Sequence, residues 1–253
     1  MALTGLELAL VGLAGVGGGA VNAMAGGGTL ITFPTLVAVG IPPVSANVTN
    51  TVALSPGYLS GTLAQRRDLD GQRPRLARFV PTAVVGGITG GALLLATSDA
   101  VFRELVPFLI LGATVLLAMQ DRIRVRVARH LESSASEHDL LALLPVFAAA
   151  VYGGYFGAWL GIILLAVLGL VLDDTLTRLN ALKQALSFSI NVATAFFFLF
   201  SGRVSWLAAL ALAAGAIVGG ALGGRLAHRV DPAALRRFVV VICLIVAVVY
   251  FVR

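Results

Sequence analysis

A polar face runs along the apolar segment at residues 175–201, and its residue types suit the binding of an anion. Helical periodicity places six polar side chains of this segment on one face. They are Asn180, Lys183, Gln184, Ser187, Asn191 and Thr194. Amides, hydroxyls and an ammonium can all donate hydrogen bonds to an anion that has left water. Because the rest of the segment is apolar enough for a bilayer, this face predicts a polar lining inside a membrane protein.

Lys183 is the only lysine in the chain and lies about two helical turns inside this segment. A lysine at the centre of a membrane helix costs ~2.5 to 3.5 kcal/mol on insertion scales, so such a residue is functional by default. The alternative is that its long side chain extends to the membrane surface. We expect Lys183 to attract an anion.

A second polar face precedes the first by 133 residues. This offset aligns Asn47 with Asn180, Asn50 with Lys183, Thr51 with Gln184, and Tyr58 with Asn191. The identities are sparse, but the polar pattern recurs, which predicts two homologous halves. Hydrogen bonding between helices is the alternative role for these side chains. A matched pair of polar faces favours a lined pathway between the halves.

Glycine-rich sequences interrupt the apolar runs that precede both polar faces. The first run contains GVGGGAVNAMAGGG at residues 15–28, and the second contains YGGYFGAWLG at residues 152–161. Such breaks expose backbone N–H groups and helix N-termini, which attract anions. We therefore add Gly27, Gly28, Thr29 and Trp159 to the candidate substrate site. Close helix packing is the alternative reason for the glycines, and membership of an interfacial aromatic belt is the alternative for Trp159.

The composition indicates a membrane protein. The chain has 253 residues, of which 58% are hydrophobic and 12% charged, and its mean hydropathy is +0.97. Soluble domains usually carry about 25% charged residues. We predict an all-α polytopic membrane protein with 8 to 10 membrane segments, among them short broken or re-entrant helices at about 27–39 and 160–172.

The longest hydrophilic stretch divides the chain into two membrane repeats. We predict a first repeat at 1–120, a cytoplasmic linker at 121–139 and a second repeat at 140–253. The first repeat contains helices at about 5–22, 27–39, 44–65, 78–97 and 103–120. The second contains the interrupted run 140–172 and helices at about 175–200, 205–226 and 233–252.

Three arginine-rich clusters predict the orientation of the two halves. They lie at 66–78, 122–129 and 225–237, between apolar runs, and we interpret them as cytoplasmic topology signals rather than as a nucleic-acid surface. If all three are cytoplasmic, the halves are inverted repeats, as in many secondary transporters. A plain eight-span arrangement with parallel halves remains the alternative, and it places the last cluster outside.

Catalytic and metal-binding constellations are missing from the apolar segments. The acidic residues and histidines fall in loops or near segment ends, and Cys243 is the single cysteine. We therefore expect no catalytic residues, no metal, no cofactor and no enzyme activity. An anion channel, with the polar face lining an open pore, is the main alternative to a transporter. An assembly factor is a weaker one, because such a role does not need the polar face.

Motifs in both halves resemble those of the sulfite exporter TauE/SafE family of membrane permeases. In half one the resemblance covers GLAGVGGGAVNAMAGGGTLITFPTLVAVGIPPVSANVTNTVALSPGYLSG, and in half two FGAWLG followed by LNALKQALSFSINVATAFFFLFSGRVSW. It implies a multi-pass permease of the inner membrane whose partners are the lipid bilayer and a small sulfur-containing or organic anion, such as sulfite or a sulfonate. A homo-oligomer is compatible with the sequence. Trp159 and Leu160 replace glycines that many such proteins keep in half two, which predicts an aromatic wall on one side of the site.

Overall fold

The computed structural model describes residues 3–24, 27–133, 143–226 and 241. Within these ranges the first half forms α1 (Gly5–Met24), α2 (Thr29–Ala38), α3 (Pro43–Ala64), α4 (Arg73–Ala96) and α5 (Asp99–Ser133). The second half forms α6 (Leu143–Tyr155), α7 (Leu160–Val171), α8 (Leu176–Leu199) and α9 (Trp206–Leu226). The predicted helix at 233–252, with Cys243 and most of the third arginine cluster, lies outside the described residues apart from Val241.

The described part of the chain is helical, with a short 3-10 turn at Arg66–Leu69 between α3 and α4. Three of its helices are long and apolar enough to cross a membrane, within Gly5–Asn22, Arg73–Ala96 and Leu176–Leu199. The prediction of an all-α polytopic membrane protein is confirmed.

Local signals fix where several helices begin. Pro43 stands at the start of α3, where its missing N–H is not needed. The next N–H, of Val44, donates to Asp99 Oδ1 at 2.9 Å. Thr175 caps α8 by accepting from the Arg178 N–H. The Val44–Asp99 bond ties the start of α3 to the start of α5, whereas the Thr175 cap is local to α8.

α2 and α7 are the short segments that the glycine-rich breaks predict. They contain 10 and 12 residues, so they rise about 15 and 18 Å, which is less than the ~30 Å of a bilayer core. α1 with α2, and α6 with α7, form two helical hairpins, each with its turn in the glycine-rich break. The prediction of short helices at these two places is therefore confirmed, and their re-entry into the membrane stays a prediction.

The two halves pack on each other in a reciprocal pattern. α1 packs along α9, and its counterpart α6 packs along α4. α3 and α8 cross each other, with Thr62 Oγ1 donating to the Gln184 carbonyl at 3.3 Å and Ser55 Oγ to the Asn191 carbonyl at 3.4 Å. Because the residue numbers of α8 fall along this interface as those of α3 rise, these two helices, which the offset aligns, run antiparallel. Antiparallel packing supports the inverted relation of the halves, which stays a prediction.

Glycine brings the paired helices into backbone contact. In the α1–α9 pair, a Cβ on Gly219 would collide with the Val16 carbonyl, and a Cβ on Gly19 with Ala216. In the α4–α6 pair, a Cβ on Gly90 would collide with the Val151 carbonyl. Such close approach is typical of membrane helices that associate through small residues. The close-packing interpretation of the glycines therefore fits these positions.

Candidate functional site

The turns of the two hairpins meet inside the protein. Trp159, at the turn between α6 and α7, is only 1% exposed. Its ring occupies the space that a Cβ on Gly27, at the turn between α1 and α2, would need. Because α2 and α7 both begin at these turns, their N-terminal ends lie on either side of Trp159.

Trp159 adopts a backbone conformation that tryptophan rarely takes. Its φ of 61° and ψ of 20° are left-handed, which costs a residue with a Cβ roughly 1 to 2 kcal/mol. Its buried indole Nε1 has no hydrogen-bond partner in the described part of the structure. Strained backbone and unpartnered donors concentrate at binding sites, where a ligand completes the arrangement.

Residues of the first half hold this turn of the second half. Asn47 Nδ2, on α3, donates to the Tyr155 carbonyl at 2.8 Å. The ring of Phe156 packs edge-on against Phe33 of α2, with centroids 5.6 Å apart. The Tyr152 hydroxyl donates to the Ala158 carbonyl at 2.9 Å and closes the turn from within. Asn47 therefore positions the turn through its amide nitrogen, whereas its Oδ1 is buried and has no hydrogen-bond partner among the described residues.

Lys183 lies against the first turn of α7. A Cβ on Gly161 would stand 3.6 to 3.8 Å from Lys183 Cδ, Cε and Nζ. The ammonium donates to Asn180 Oδ1 at 2.7 Å, and Asn180 Nδ2 donates to Gln65 Oε1 at 2.9 Å. The positive end of the α7 dipole and the ammonium thus lie together in a half-buried position. Two positive potentials at one place favour an anion.

Asn50 occupies the corresponding place in the first half. Its Nδ2 lies 3.4 Å from Thr29 Oγ1, in the first turn of α2. Thr32 Oγ1 contacts Asn50 Oδ1 and lies 3.1 Å from the Gly28 carbonyl. Asn50 and Lys183, which the offset aligns, therefore both contact the first turn of the short helix in their own half. Half one carries an amide at this place and half two an ammonium.

The other predicted site residues lie along the α3–α8 interface. Thr51 Oγ1 donates to the Asn47 carbonyl at 3.0 Å, and Asn191 Nδ2 donates to the Ser187 carbonyl at 2.8 Å. Gln184 accepts from Thr62 through its backbone carbonyl. These contacts match the interhelical or local role that was the alternative for the polar face. The structure thus brings Lys183, Asn180, Asn50, Thr29, Gly27, Gly28 and Trp159 to the two hairpin turns, and leaves Thr51, Gln184 and Asn191 outside that group.

Some residues of this region were not predicted from the sequence. Gln65 bonds Asn180, and Thr32 bonds Asn50. The spacing of Thr29 and Thr32 places both on one helix face, a signal that identifies Thr32. Gln65 follows the end of α3, and nothing in its local sequence marks it.

A polar cluster at the start of α8 joins the two halves. Asp174, between α7 and α8, pairs with Arg75 of α4 and with Arg178, whose Nε lies 2.9 Å from Asp174 Oδ1. Arg178 Nη1 donates to the Asp70 carbonyl at 2.9 Å, and Gln72 Nε2 donates to the Arg178 carbonyl at 3.1 Å. Burial opposes ionisation of Asp174, but hydrogen bonds from Arg178, the Thr175 N–H and Arg75 outweigh it and lower the pKa of its carboxyl.

Two helical hairpins that meet within a bundle, with polar helix ends at their junction, resemble the broken helices of multi-pass secondary transporters. The sequence model of the sulfite exporter TauE/SafE family matches residues 11–250. The chain belongs to this family.

Relatives that match most of the chain are described as transporters. A "Probable membrane transporter protein" of Haemophilus influenzae is 29% identical over 87% of this chain and 85% of its own length. A "Probable membrane transporter protein ORF9" of Sinorhizobium sp is 26% identical over 91% and 87% of the two chains. The "Probable membrane transporter protein YfcA" of Escherichia coli is 23% identical over 88% of this chain and 82% of its own length. No solved structure matches this chain.

Proposed function

We propose that the protein is a secondary transporter that moves a small sulfur-containing or organic anion, such as sulfite or a sulfonate, across the inner membrane. The observation that carries the proposal is the contact of Lys183 with the first turn of α7. The description of the family as sulfite exporters supports such an anion, and the names of the relatives support transport.

The substrate would bind where the hairpin turns meet. An anion that leaves water needs hydrogen-bond donors and positive potential. Here the donors are the Trp159 indole and the Lys183 ammonium, and the positive ends of the α2 and α7 dipoles add to the potential. Asn180 bonds the ammonium and orients it.

A transporter fits this geometry better than the alternative, an anion channel. The Trp159 ring packs on Gly27 at the junction of the hairpins. An open pore needs a continuous polar path, whereas a ring packed on the opposite turn must move before a solute passes. Movement of one rigid hairpin against the other is the alternating access expected of a carrier.

Replacement of Lys183 tests the proposal. We expect sulfite or a sulfonate at about 100 times its dissociation constant to stabilise the purified wild type by ~2.7 kcal/mol. Lys183→Met should lose this stabilisation, because it keeps the length of the side chain and removes its charge. Lys183→Arg should keep much of it. The measurement is thermal unfolding in detergent with and without the anion.

Val192→Met serves as the matched control, because Val192 lies on the same helix and is 40% exposed. It should respond to the anion as the wild type does. Equal stabilisation of wild type and Lys183→Met by the anion would show that Lys183 does not bind the substrate.

A further inference from the structure

We infer that Trp159 sets the upper size of the substrate, so that the site binds a sulfonate with a short side group and discriminates against one that carries an aromatic ring. The inference rests on the proposed anion site and adds a size limit and the residue that determines it. It follows from the place of one large side chain between the two hairpin turns.

The ring of Trp159 fills the space between the hairpin turns. Its carbons Cζ2, Cη2 and Cε2 would collide with a Cβ on Gly27, so the ring lies directly on the backbone of the opposite turn. The residue is only 1% exposed, which does not fit membership of an interfacial aromatic belt. A larger ligand at the junction must therefore take space from this ring.

The backbone fixes the position of the ring relative to its own hairpin. The Trp159 carbonyl accepts from the Ile162 N–H at 2.9 Å, so this residue begins the first turn of α7. The preceding carbonyl, of Ala158, accepts from the Tyr152 hydroxyl. Because the ring is buried and its backbone is held on both sides, it is a fixed wall of the junction rather than a mobile flap.

The ring borders the place proposed for the charged head group. Gly161, two residues after Trp159 in the first turn of α7, lies next to the Lys183 side chain. The indole Nε1, bonded to the ring carbon Cε2, is buried and has no hydrogen-bond partner among the described residues. Such a donor needs a partner, and a sulfonate oxygen at the junction would supply one. The ring thus limits the space beside the head group.

The matched position in the first half carries no side chain. Under the offset of 133 residues, Trp159 aligns with Gly26. Removal of a buried aromatic ring leaves an apolar cavity, and such a cavity can hold benzene. Trp159→Gly should therefore open room for an aromatic ring beside the head group. Glycine also takes the left-handed backbone conformation of residue 159 without strain.

Methanesulfonate and benzenesulfonate test the size limit, because they share a head group and a single charge and differ in the group attached to sulfur. We expect the full-length wild type in detergent, titrated by calorimetry, to bind methanesulfonate at least about tenfold more tightly than benzenesulfonate. Trp159→Gly should shift the ratio of the two affinities towards benzenesulfonate by about tenfold or more. Trp206→Gly is the matched control and should keep the wild-type ratio, because it removes the other tryptophan of the chain, which is 56% exposed.

The outcomes separate this inference from the proposed function. Equal affinity of the wild type for the two sulfonates would overturn the size limit and leave an anion site intact. Simultaneous binding of both sulfonates to Trp159→Gly would show that the opened space lies apart from the anion site, and would also overturn the inference. Binding of neither sulfonate to the wild type would overturn it too, and absence of sulfite binding in the same titration would overturn the proposed function as well.

A second variant covers the case in which Trp159→Gly does not fold, which thermal unfolding must first establish. Trp159→Leu keeps an apolar side chain and removes only the aromatic ring. Its ratio of affinities should shift towards benzenesulfonate by a smaller factor. A folded Trp159→Gly or Trp159→Leu with the wild-type ratio would exclude Trp159 as the determinant of substrate size.

Discussion

Asp174 shows how one carboxylate connects the halves at the start of α8. Its side chain is 11% exposed and pairs with arginines from α4 and α8. Asp174→Asn removes the charge while both arginines stay in place. We expect the substitution to lower the free energy of unfolding by ~1 to 3 kcal/mol at neutral pH.

The same residue predicts a pH dependence with a definite sign. Hydrogen bonds outweigh burial and lower the pKa of Asp174 in the folded protein. The stabilisation is therefore present above the pKa of the unfolded chain and is lost as pH falls through the lower, folded-state pKa. The wild type should lose stability over this acidic range more steeply than Asp174→Asn. Unfolding curves at several pH values measure this, and parallel curves for the two proteins would contradict it.

Single residues differ in how well their place could be predicted. Lys183 was identifiable because a lone lysine inside an apolar segment is costly and therefore informative. Its contact with Gly161 arises because α7 and α8 are antiparallel neighbours. The spacing of residues in the sequence does not show this contact. Trp159 aligns with Gly26 under the offset, so no pattern in the sequence indicates that its ring contacts Gly27 of the other half.

At the scale of elements, adjacent glycines on α9 provide a matched test of helix packing. A Cβ on Gly219 would collide with the Val16 carbonyl of α1, whereas the nearest atom to a Cβ on Gly220 is the Gly19 carbonyl oxygen at 3.9 Å. Gly219→Ala should destabilise the protein by ~1 to 3 kcal/mol, because the helices must move apart. Gly220→Ala should change the stability by less than about 0.5 kcal/mol.

Thermal or denaturant unfolding of both variants in the same detergent checks this prediction. Similar stabilities for Gly219→Ala and Gly220→Ala would show that α1 and α9 do not depend on close backbone contact.

The order of the elements was predictable, but some of their ends were not. Hydropathy and glycine breaks predict α1, α2, α3, α7, α8 and α9 close to their observed bounds. α4 starts at Arg73 rather than near 78, and α5 continues to Ser133 rather than ending near 120. Hydropathy reports where the apolar segment ends, whereas a helix continues into polar sequence as long as its backbone hydrogen bonds can form.

At the scale of the whole molecule, the antiparallel α3 and α8 predict which loops share a membrane face. In the inverted arrangement, Asp70 and Thr177 lie on one side, and Ser98 and Ser201 lie on the other. Single cysteines at these positions, introduced after Cys243→Ala, should react with a membrane-impermeant maleimide in that pattern. The positive-inside rule places Asp70 and Thr177 on the cytoplasmic side.

Each cysteine variant is measured in intact cells and after permeabilisation, which serves as the control for accessibility. Labelling of Thr177→Cys from the same side as Ser98→Cys would support the parallel arrangement of the halves instead. The sequence alone does not distinguish the inverted from the parallel arrangement of the halves, because the arginine cluster that would distinguish them lies in only one loop of half two.

The matched positions Tyr58 and Asn191 have a consequence for a protein with two similar halves. These residues align under the offset and lie where α3 crosses α8, near the hydrogen bond from Ser55 Oγ to the Asn191 carbonyl. In an assembly of two identical chains, a residue on the symmetry axis meets its own copy and must be complementary to itself. Covalent linkage of the halves removes that restriction. The centre of the molecule can therefore hold a tyrosine from one half opposite an asparagine from the other. A substitution at either of these two positions does not require a matching substitution in the other half.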